Sequence, residues 1–344
     1  MTKAWPGNFF EDFELGAAWR CPTPRRLTHG DVSAYIALTG DRTPGYCGGG
    51  DLVHPLVVFH TVFGQTVRSI SLNARANLGY ADLRWHRPAR VGDVLVTDVE
   101  IVGLKENSSG TTGIVWVKTT GRDVSGEAVL SFTRWVMVKK RGTAPTAWRD
   151  APVVPELGDV VDPSTLSPTI EAARPDEAAG ARWGFADYAV GERIVHGDGM
   201  LVNPSDHMAF TRLFQNSAKV HFDGLAMDGR PLVYGGVVIS HCYAAAHNGL
   251  EGRAGVCGIN GGTHANPVYA GDTVYAVSEV LDTFDPGAGS PVGLVRLRLV
   301  GIKNTPASEH ATMQWKHDDP KRPGRTRYAP NVVLDLDLWE SVAK

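Results

Sequence analysis

The chain of 344 residues is 43% hydrophobic and 21% charged, with a net charge of −3, the proportions of a globular protein with room for two domains. So small a charge gives no electrostatic reason to expect nucleic acid or an anionic membrane as partner, and no run approaches the roughly 18 apolar residues needed to span a bilayer. Cys21, Cys47, Cys242 and Cys257 are scattered with no CxxC spacing, and the N-terminus lacks a signal-peptide core, so reduced thiols in the cytoplasm are expected rather than zinc or a disulfide framework.

Taken in order, the chain repeats itself. Phe9-Phe-Glu-Asp-Phe-Glu-Leu-Gly16 returns as Gly184-Phe-Ala-Asp-Tyr-Ala-Val-Gly191, with the closing glycines 175 positions apart. Thr28-His-Gly-Asp31 and Asn203-Pro-Ser-Asp206, also offset by 175, both read as helix starts with a Thr or Asn N-cap and an acid three residues on. Asp31 and Asp206 are therefore expected to be capping carboxylates. Arg87-Pro-Ala-Arg-Val-Gly-Asp-Val94 is answered by Asn266-Pro-Val-Tyr-Ala-Gly-Asp-Thr-Val274, here with glycines 179 apart.

Each half follows one plan. A short helix and loop precede a long apolar helix, expected from Val53 to about Thr66 and from Val237 to about His247. Alternating, β-branched runs come next: Val94–Val102, Thr112–Lys118 and Val129–Val138 in the first half, Thr273–Leu281 and Gly293–Val300 in the second. Period-two alternation implies antiparallel strands with one face on a core, and a helix apolar nearly all round must be buried. A buried helix wrapped by an antiparallel meander is a hot-dog unit. The expected fold is α+β, a double hot dog: one repeat over 1–145, a Pro/Ala-rich connector over 146–182 and a second repeat over 183–344.

The halves differ at one place. Leu38-Thr-Gly-Asp41-Arg-Thr-Pro-Gly-Tyr46 aligns with Leu213-Phe-Gln-Asn216-Ser-Ala-Lys-Val-His221, so the first half has Tyr46 where the second has an imidazole. A second segment, Leu232 to His247, opens on Gly235 and Gly236 and then runs apolar. His221 in its loop faces the expected N-terminus of a buried helix, and one functional site per chain is expected, in the second half. His241 and His247, six apart, lack the i, i+4 spacing of a metal face, and no metal is expected.

Leu38-Thr-Gly-Asp41-Arg-Thr-Pro44 and Pro267-Val-Tyr-Ala-Gly-Asp-Thr273 resemble segments of the MaoC-like (R)-specific enoyl-CoA hydratases, whose Gly-Asp-x-Asn-Pro-x-His motif handles water. A likeness covering nearly the whole chain is carried by Asn8-Phe-Phe-Glu-Asp-Phe13, Ile70 to Tyr80, Arg134-Trp-Val-Met-Val138, Gln215-Asn-Ser-Ala-Lys-Val-His221 and Val233-Tyr-Gly-Gly236. These are similar to the mesaconyl-CoA hydratases, also called β-methylmalyl-CoA dehydratases. The resemblance implies reversible hydration of 2-methylfumaryl-CoA to (2R,3S)-β-methylmalyl-CoA in a homo-oligomer, with coenzyme A present only as part of the acyl-CoA substrate and no other cofactor. The family's Asp is Asn216 here, an amide that is no base at neutral pH. His221 is then the expected general acid and base, with Asn216 positioning the water. Backbone amides of Gly235, Gly236 or Val237 would meet charge developing on the thioester oxygen. Tyr234, Gln215, Arg212, Lys219, Asp41 and Tyr46 are further candidates for contact with substrate or coenzyme A. A hot-dog thioesterase, a hydratase of another acyl chain and a non-catalytic acyl-CoA-binding module are the rival readings.

Overall fold

The computed structural model describes residues 3–173, 180–320 and 322–344. Residues 174–179 of the expected connector lie outside this description. Six helices are α1 (His29–Thr39), α2 (Pro44–Cys47), α3 (Pro55–Ile70), α4 (Pro204–Leu213), α5 (Lys219–Phe222) and α6 (Gly235–Ala245). Eight long strands are β1 (Ala74–Trp85), β2 (Val94–Glu106), β3 (Thr112–Arg122), β4 (Ala128–Lys139), β5 (Arg253–His264), β6 (Thr273–Phe284), β7 (Val292–Lys303) and β8 (Val332–Ala343). They lie side by side in the order β2-β3-β4-β1-β5-β8-β7-β6 within one 12-stranded sheet, every neighbouring pair antiparallel. The order reads as one four-strand unit and its pseudo-symmetric copy, a double hot dog.

The units meet along β1 and β5, from Gly79 opposite Thr263 to Arg84 opposite Gly258. The strands that alternate in sequence form where expected and run a few residues longer. The strands β1, β5 and β8 were not anticipated from alternation. Along β5 the first eight residues are all buried, because the sheet is covered on both faces there and no polar face repeats.

Both long helices form. All of α3 except Arg68 and all of α6 except Gly235 is buried, and the two share one apolar core that includes Val57, Phe59, Val62, Val237, Val238 and Tyr243. Their starts differ. Pro55 begins α3 and the His54 Nδ1 accepts the Leu56 amide at 3.1 Å. Gly235 begins α6 after Tyr234, with no side-chain cap. At α1, Thr28 and Asp31 form the expected reciprocal capping box. At α4 the cap is Asn203, but the Asp206 carboxylate accepts from Ser205 Oγ at 2.9 Å instead of closing a box, so that expectation is corrected.

The chain after β4 runs along both units. Val153 pairs with Leu104 of the first, and the Val161 amide donates to Asn260 Oδ1 of the second at 2.7 Å. A buried ionic cluster also spans them. Arg253, at the start of β5, donates to Asp41 Oδ2 at 3.1 Å, to Thr43 Oγ1 at 3.0 Å and to the Tyr243 carbonyl at 2.6 Å. Burial pushes the Asp41 carboxyl up, but Arg253 and His54 outweigh it and hold the group below its ordinary value. Buried Glu340, which accepts from Tyr243 at 2.9 Å, is raised to about 7 by burial in spite of Arg253.

One close approach fixes the second half's loop against the first half's helix. A Cβ on Gly64 of α3 would lie 1.8 Å from the Phe214 carbonyl oxygen, just before Asn216. Gly64→Ala must push that loop away and is expected to cost about 1–3 kcal/mol or more, read in thermal denaturation. Arg253→Met is expected to cost about 3–5 kcal/mol by stranding the Asp41 carboxylate, with part of the loss recovered in the Asp41→Asn, Arg253→Met double variant. A double variant no more stable than Arg253→Met would show that the loss does not come from a stranded Asp41 carboxylate.

Candidate active site

Between the units lies a cavity of about 260 Å³, lined from the first by Phe63, Ser71, Ala74, Asn77, Tyr80 and Arg134, and from the second by Asn216, His221, Tyr234, Gly235, Val238 and His264. The sequence separates these groups by up to 201 positions, from Phe63 to His264; the β1–β5 seam brings them together.

Two short turns deliver the loop residues. Phe214 ends α4, Gln215 takes a positive φ of 54°, and the Asn216 amide donates to the Thr211 carbonyl at 3.0 Å. Asn216 Oδ1 then accepts from the Ala218 amide at 3.2 Å. That hydrogen bond can only be made by the oxygen, so the side-chain NH₂ of Asn216, a cavity-lining residue, remains as a donor. The helical turn α5 follows and carries His221, whose Nδ1 lies 2.8 Å from the Leu232 carbonyl oxygen. A carbonyl only accepts, so Nδ1 bears the hydrogen and Nε2 keeps its lone pair. Burial pushes His221 down to about 4, against the pull of that carbonyl, and His207 adds to the depression. At neutral pH this is a neutral imidazole with a fixed tautomer.

The start of α6 supplies the opposite wall. Of the three residues expected to offer amides, Gly235 alone lines the cavity. A Cβ there would strike the His264 ring at 2.5 Å, so only glycine lets the imidazole and the helix start share the space. At Gly236 the corresponding space is filled by the rings of Tyr234 and His60. The Val237 amide already donates to the Tyr234 carbonyl at 2.9 Å. Expectation is thus narrowed to Gly235, whose amide at an uncapped helix start carries the favourable end of the helix dipole. Tyr234 is held from behind: its hydroxyl lies 3.3 Å from His60 Nδ1, and His60 Nε2 lies 2.9 Å from Ser240 Oγ.

Other candidates are placed elsewhere. Arg212 is exposed and, with Gln215, lines a separate surface depression that also reaches Asn216. Lys219 is exposed and donates to Asn73 Oδ1 at 3.1 Å. Asp41 sits in the ionic cluster with Arg253, and Tyr46 donates its hydroxyl to the Ala254 carbonyl at 2.8 Å; neither lines the cavity. Tyr80, His264, Arg134 and Asn77 are among the cavity residues that had not been singled out as candidates. The Tyr80 hydroxyl lies 3.1 Å from His264 Nε2, and His264 is pushed down to about 4 by burial and by His221. Arg134 and Asn77 lie on neighbouring strands, their side chains 3.2 Å apart. Tyr80, Asn77 and Arg134 fall inside segments that carry the family resemblance, and the Gly261-Gly262 pair before His264 was the other available signal. No group of three or more His, Cys, Asp or Glu side chains arranged to hold a metal occurs among the described residues, and none of their helices is long and apolar enough to cross a membrane.

Known proteins resemble this chain over its whole length. The family model described as mesaconyl-CoA hydratase matches residues 3–309. A mesaconyl-CoA hydratase of Cereibacter sphaeroides is 46% identical over 99% of this chain and 100% of its own. A β-methylmalyl-CoA dehydratase of Chloroflexus aurantiacus is 42% identical over 98% of this chain and 97% of its own. Among solved structures, a MaoC domain dehydratase of Chloroflexus aurantiacus superposes with a TM-score of 0.88 at 40% identity, covering 100% of this chain and 99% of that one. A Mycobacterium tuberculosis protein described as having a double hot-dog fold superposes at 0.74 over 98% of this chain and 99% of its own, with 26% identity. With the matched residues spanning both hot-dog units and the cavity between them, the chain belongs to the mesaconyl-CoA hydratase family.

Proposed function

We propose that this chain adds water reversibly to mesaconyl-CoA (2-methylfumaryl-CoA), giving (2R,3S)-β-methylmalyl-CoA, with His221 as the proton carrier. The observation that carries the proposal is the neutral His221 imidazole, its Nδ1–H held by the Leu232 carbonyl and its Nε2 free to take a proton, in a cavity that also contains the uncapped start of α6. A base kept unprotonated by burial is ready at neutral pH.

In the hydration direction, Nε2 of His221 takes a proton from a water held by the Asn216 NH₂. The water oxygen bonds to the alkene carbon bearing the free carboxylate, and the alkene electron pair moves toward the thioester carbonyl. Negative charge then grows on the thioester oxygen, where the Gly235 amide donates to it without reorganising. The imidazolium returns its proton to the carbon next to the thioester, closing the cycle with His221 neutral. The reverse sequence is dehydration. Coenzyme A takes part only as the thiol half of the substrate, and the reading needs no other cofactor.

The first half offers no second site on this reading. Pro55 has no amide hydrogen to donate, His54 already caps α3, and Arg253 with Tyr46 fills the space beside it.

His221→Ala is expected to lower kcat for mesaconyl-CoA about 10²–10⁴-fold, followed by loss of enoyl-thioester absorbance. Free thiol released from acyl-CoA by the wild-type chain, without hydration, would assign it to thioester hydrolysis instead. The pH profile gives a second check. Only neutral His221 can act, so the rate is lost as pH falls through its value of about 4. Hydration is therefore expected to be level between pH 6 and 8, whereas a histidine with its ordinary value of about 6.5 would halve the rate at pH 6.5.

A further inference from the structure

Two arginine side chains, Arg134 and Arg253, are completely buried, and their surroundings are opposite. Arg253 faces the Asp41 carboxylate at 3.1 Å and has Glu340 as a further acidic neighbour. Arg134 has no carboxylate partner among the described residues: NH1 donates to Asn77 Oδ1 at 3.2 Å, and NH2 to Thr66 Oγ1 at 2.9 Å and Ser71 Oγ at 3.3 Å. No carboxylate is among the groups that favour its charge, and burial lowers it to about 10, so it stays a cation. Its Nε–H has no acceptor, and neither has the side-chain NH₂ of Asn77. A buried cation with hydrogen-bonding capacity left over is costly unless something neutralises it.

Both unsatisfied groups belong to residues that line the cavity of His221. The guanidinium stands over the Phe63 ring, 4.3 Å from its centre, the Phe63 ring lies 5.6 Å from that of Tyr234, and Tyr234 lies 5.6 Å from the His221 ring. The proton carrier and a cation lacking its anion thus line one and the same cavity.

We propose that Arg134, with the Asn77 NH₂ beside it, receives the substrate's free carboxylate, and so makes this cavity select a dicarboxylic acyl thioester over a monocarboxylic one. The proposal rests on the hydratase reading for the identity of the reaction. A guanidinium offers a planar set of donors that matches a carboxylate and an amide adds a further one, so the anion is oriented as well as neutralised. In mesaconyl-CoA the carboxylate is attached to the carbon that water attacks, so fixing it also fixes that carbon against Asn216 and His221. Exposed Arg212 and Lys219 do not line the cavity and have no such role.

The test compares mesaconyl-CoA with tiglyl-CoA, in which methyl replaces the carboxylate, for wild type, Arg134→Met and Arg134→Lys. Arg134→Met is expected to lower kcat/KM for mesaconyl-CoA about 10²-fold or more and to leave tiglyl-CoA within threefold of wild type, with Arg134→Lys between them on mesaconyl-CoA. Its melting temperature is expected not to fall, because the substitution removes an uncompensated buried charge. Equal losses on both substrates would mark Arg134 as structural and overturn the proposal, as would unchanged turnover of mesaconyl-CoA. A comparison needing no variant stands beside it: wild type is expected to bind methylsuccinyl-CoA at least tenfold tighter than 2-methylbutyryl-CoA by calorimetry, and equal affinities would overturn the proposal. If wild type hydrates neither enoyl-CoA, the reaction assignment fails, while the binding comparison still decides whether Arg134 receives a carboxylate.

Discussion

The pairing of β1 with β5 is the constraint on which the rest depends. An isolated unit would present each of these strands as an open edge, with unsatisfied amides and carbonyls. Pairing them removes both edges and lets α3 and α6 share one core. It also sets the cavity, because Asn77, Tyr80 and His264 stand on the two seam strands and Arg134 on the strand beside them. The register is held by backbone contact: Gly79 leaves so little room that an added Cβ would meet the Gly262 carbonyl oxygen at 2.5 Å and the Trp135 ring at 2.4 Å. A slip of one residue in either strand would turn that strand's residue, Tyr80 or His264, out of the cavity.

Burial gives this cavity an unusual balance of charge. His221 and His264 are pushed down by desolvation, and Tyr80 and Tyr234 are pushed up, so each stays neutral near pH 7. The one ion among the lining residues is the guanidinium of Arg134. Neutral imidazoles alongside a single cation make an environment where an anion is welcome and protons can be exchanged. A cavity lined by carboxylates would instead repel an anionic ligand.

The parts of this arrangement legible in the sequence are those with a local signature. Strands with one solvent face announce themselves by alternation, and Thr28, Asn203 and Pro204 mark helix starts through hydrogen bonds made within one turn. The loop bearing Asn216 and His221 stands out because its counterpart at Asp41 and Tyr46 differs. The seam strand β5 carries no such signature, since burial on both faces erases alternation and its glycines serve contacts with distant chain. β8 does alternate, in Leu334, Asp335, Leu336, Asp337 and Leu338, with the two acids paired to Arg298 and Arg296 of β7. It was obscured by standing far beyond the other strands. Arg134 was illegible for another reason: an arginine with an acidic partner and one without look the same until the fold shows what surrounds them.

The unlike starts of α3 and α6 bear on how freely such a doubled chain can change. For the start of α3 to match the uncapped start of α6, Pro55 would have to give way to a residue with an amide hydrogen. The His54 cap would also have to be lost, and Arg253 withdrawn from the space beside Tyr46. Each of these steps loosens a buried contact, and none by itself creates a place for substrate. Specialisation of the two copies therefore behaves as a ratchet: the route back to two equal units crosses several less stable sequences, whereas drift that further fills the first unit meets no such barrier.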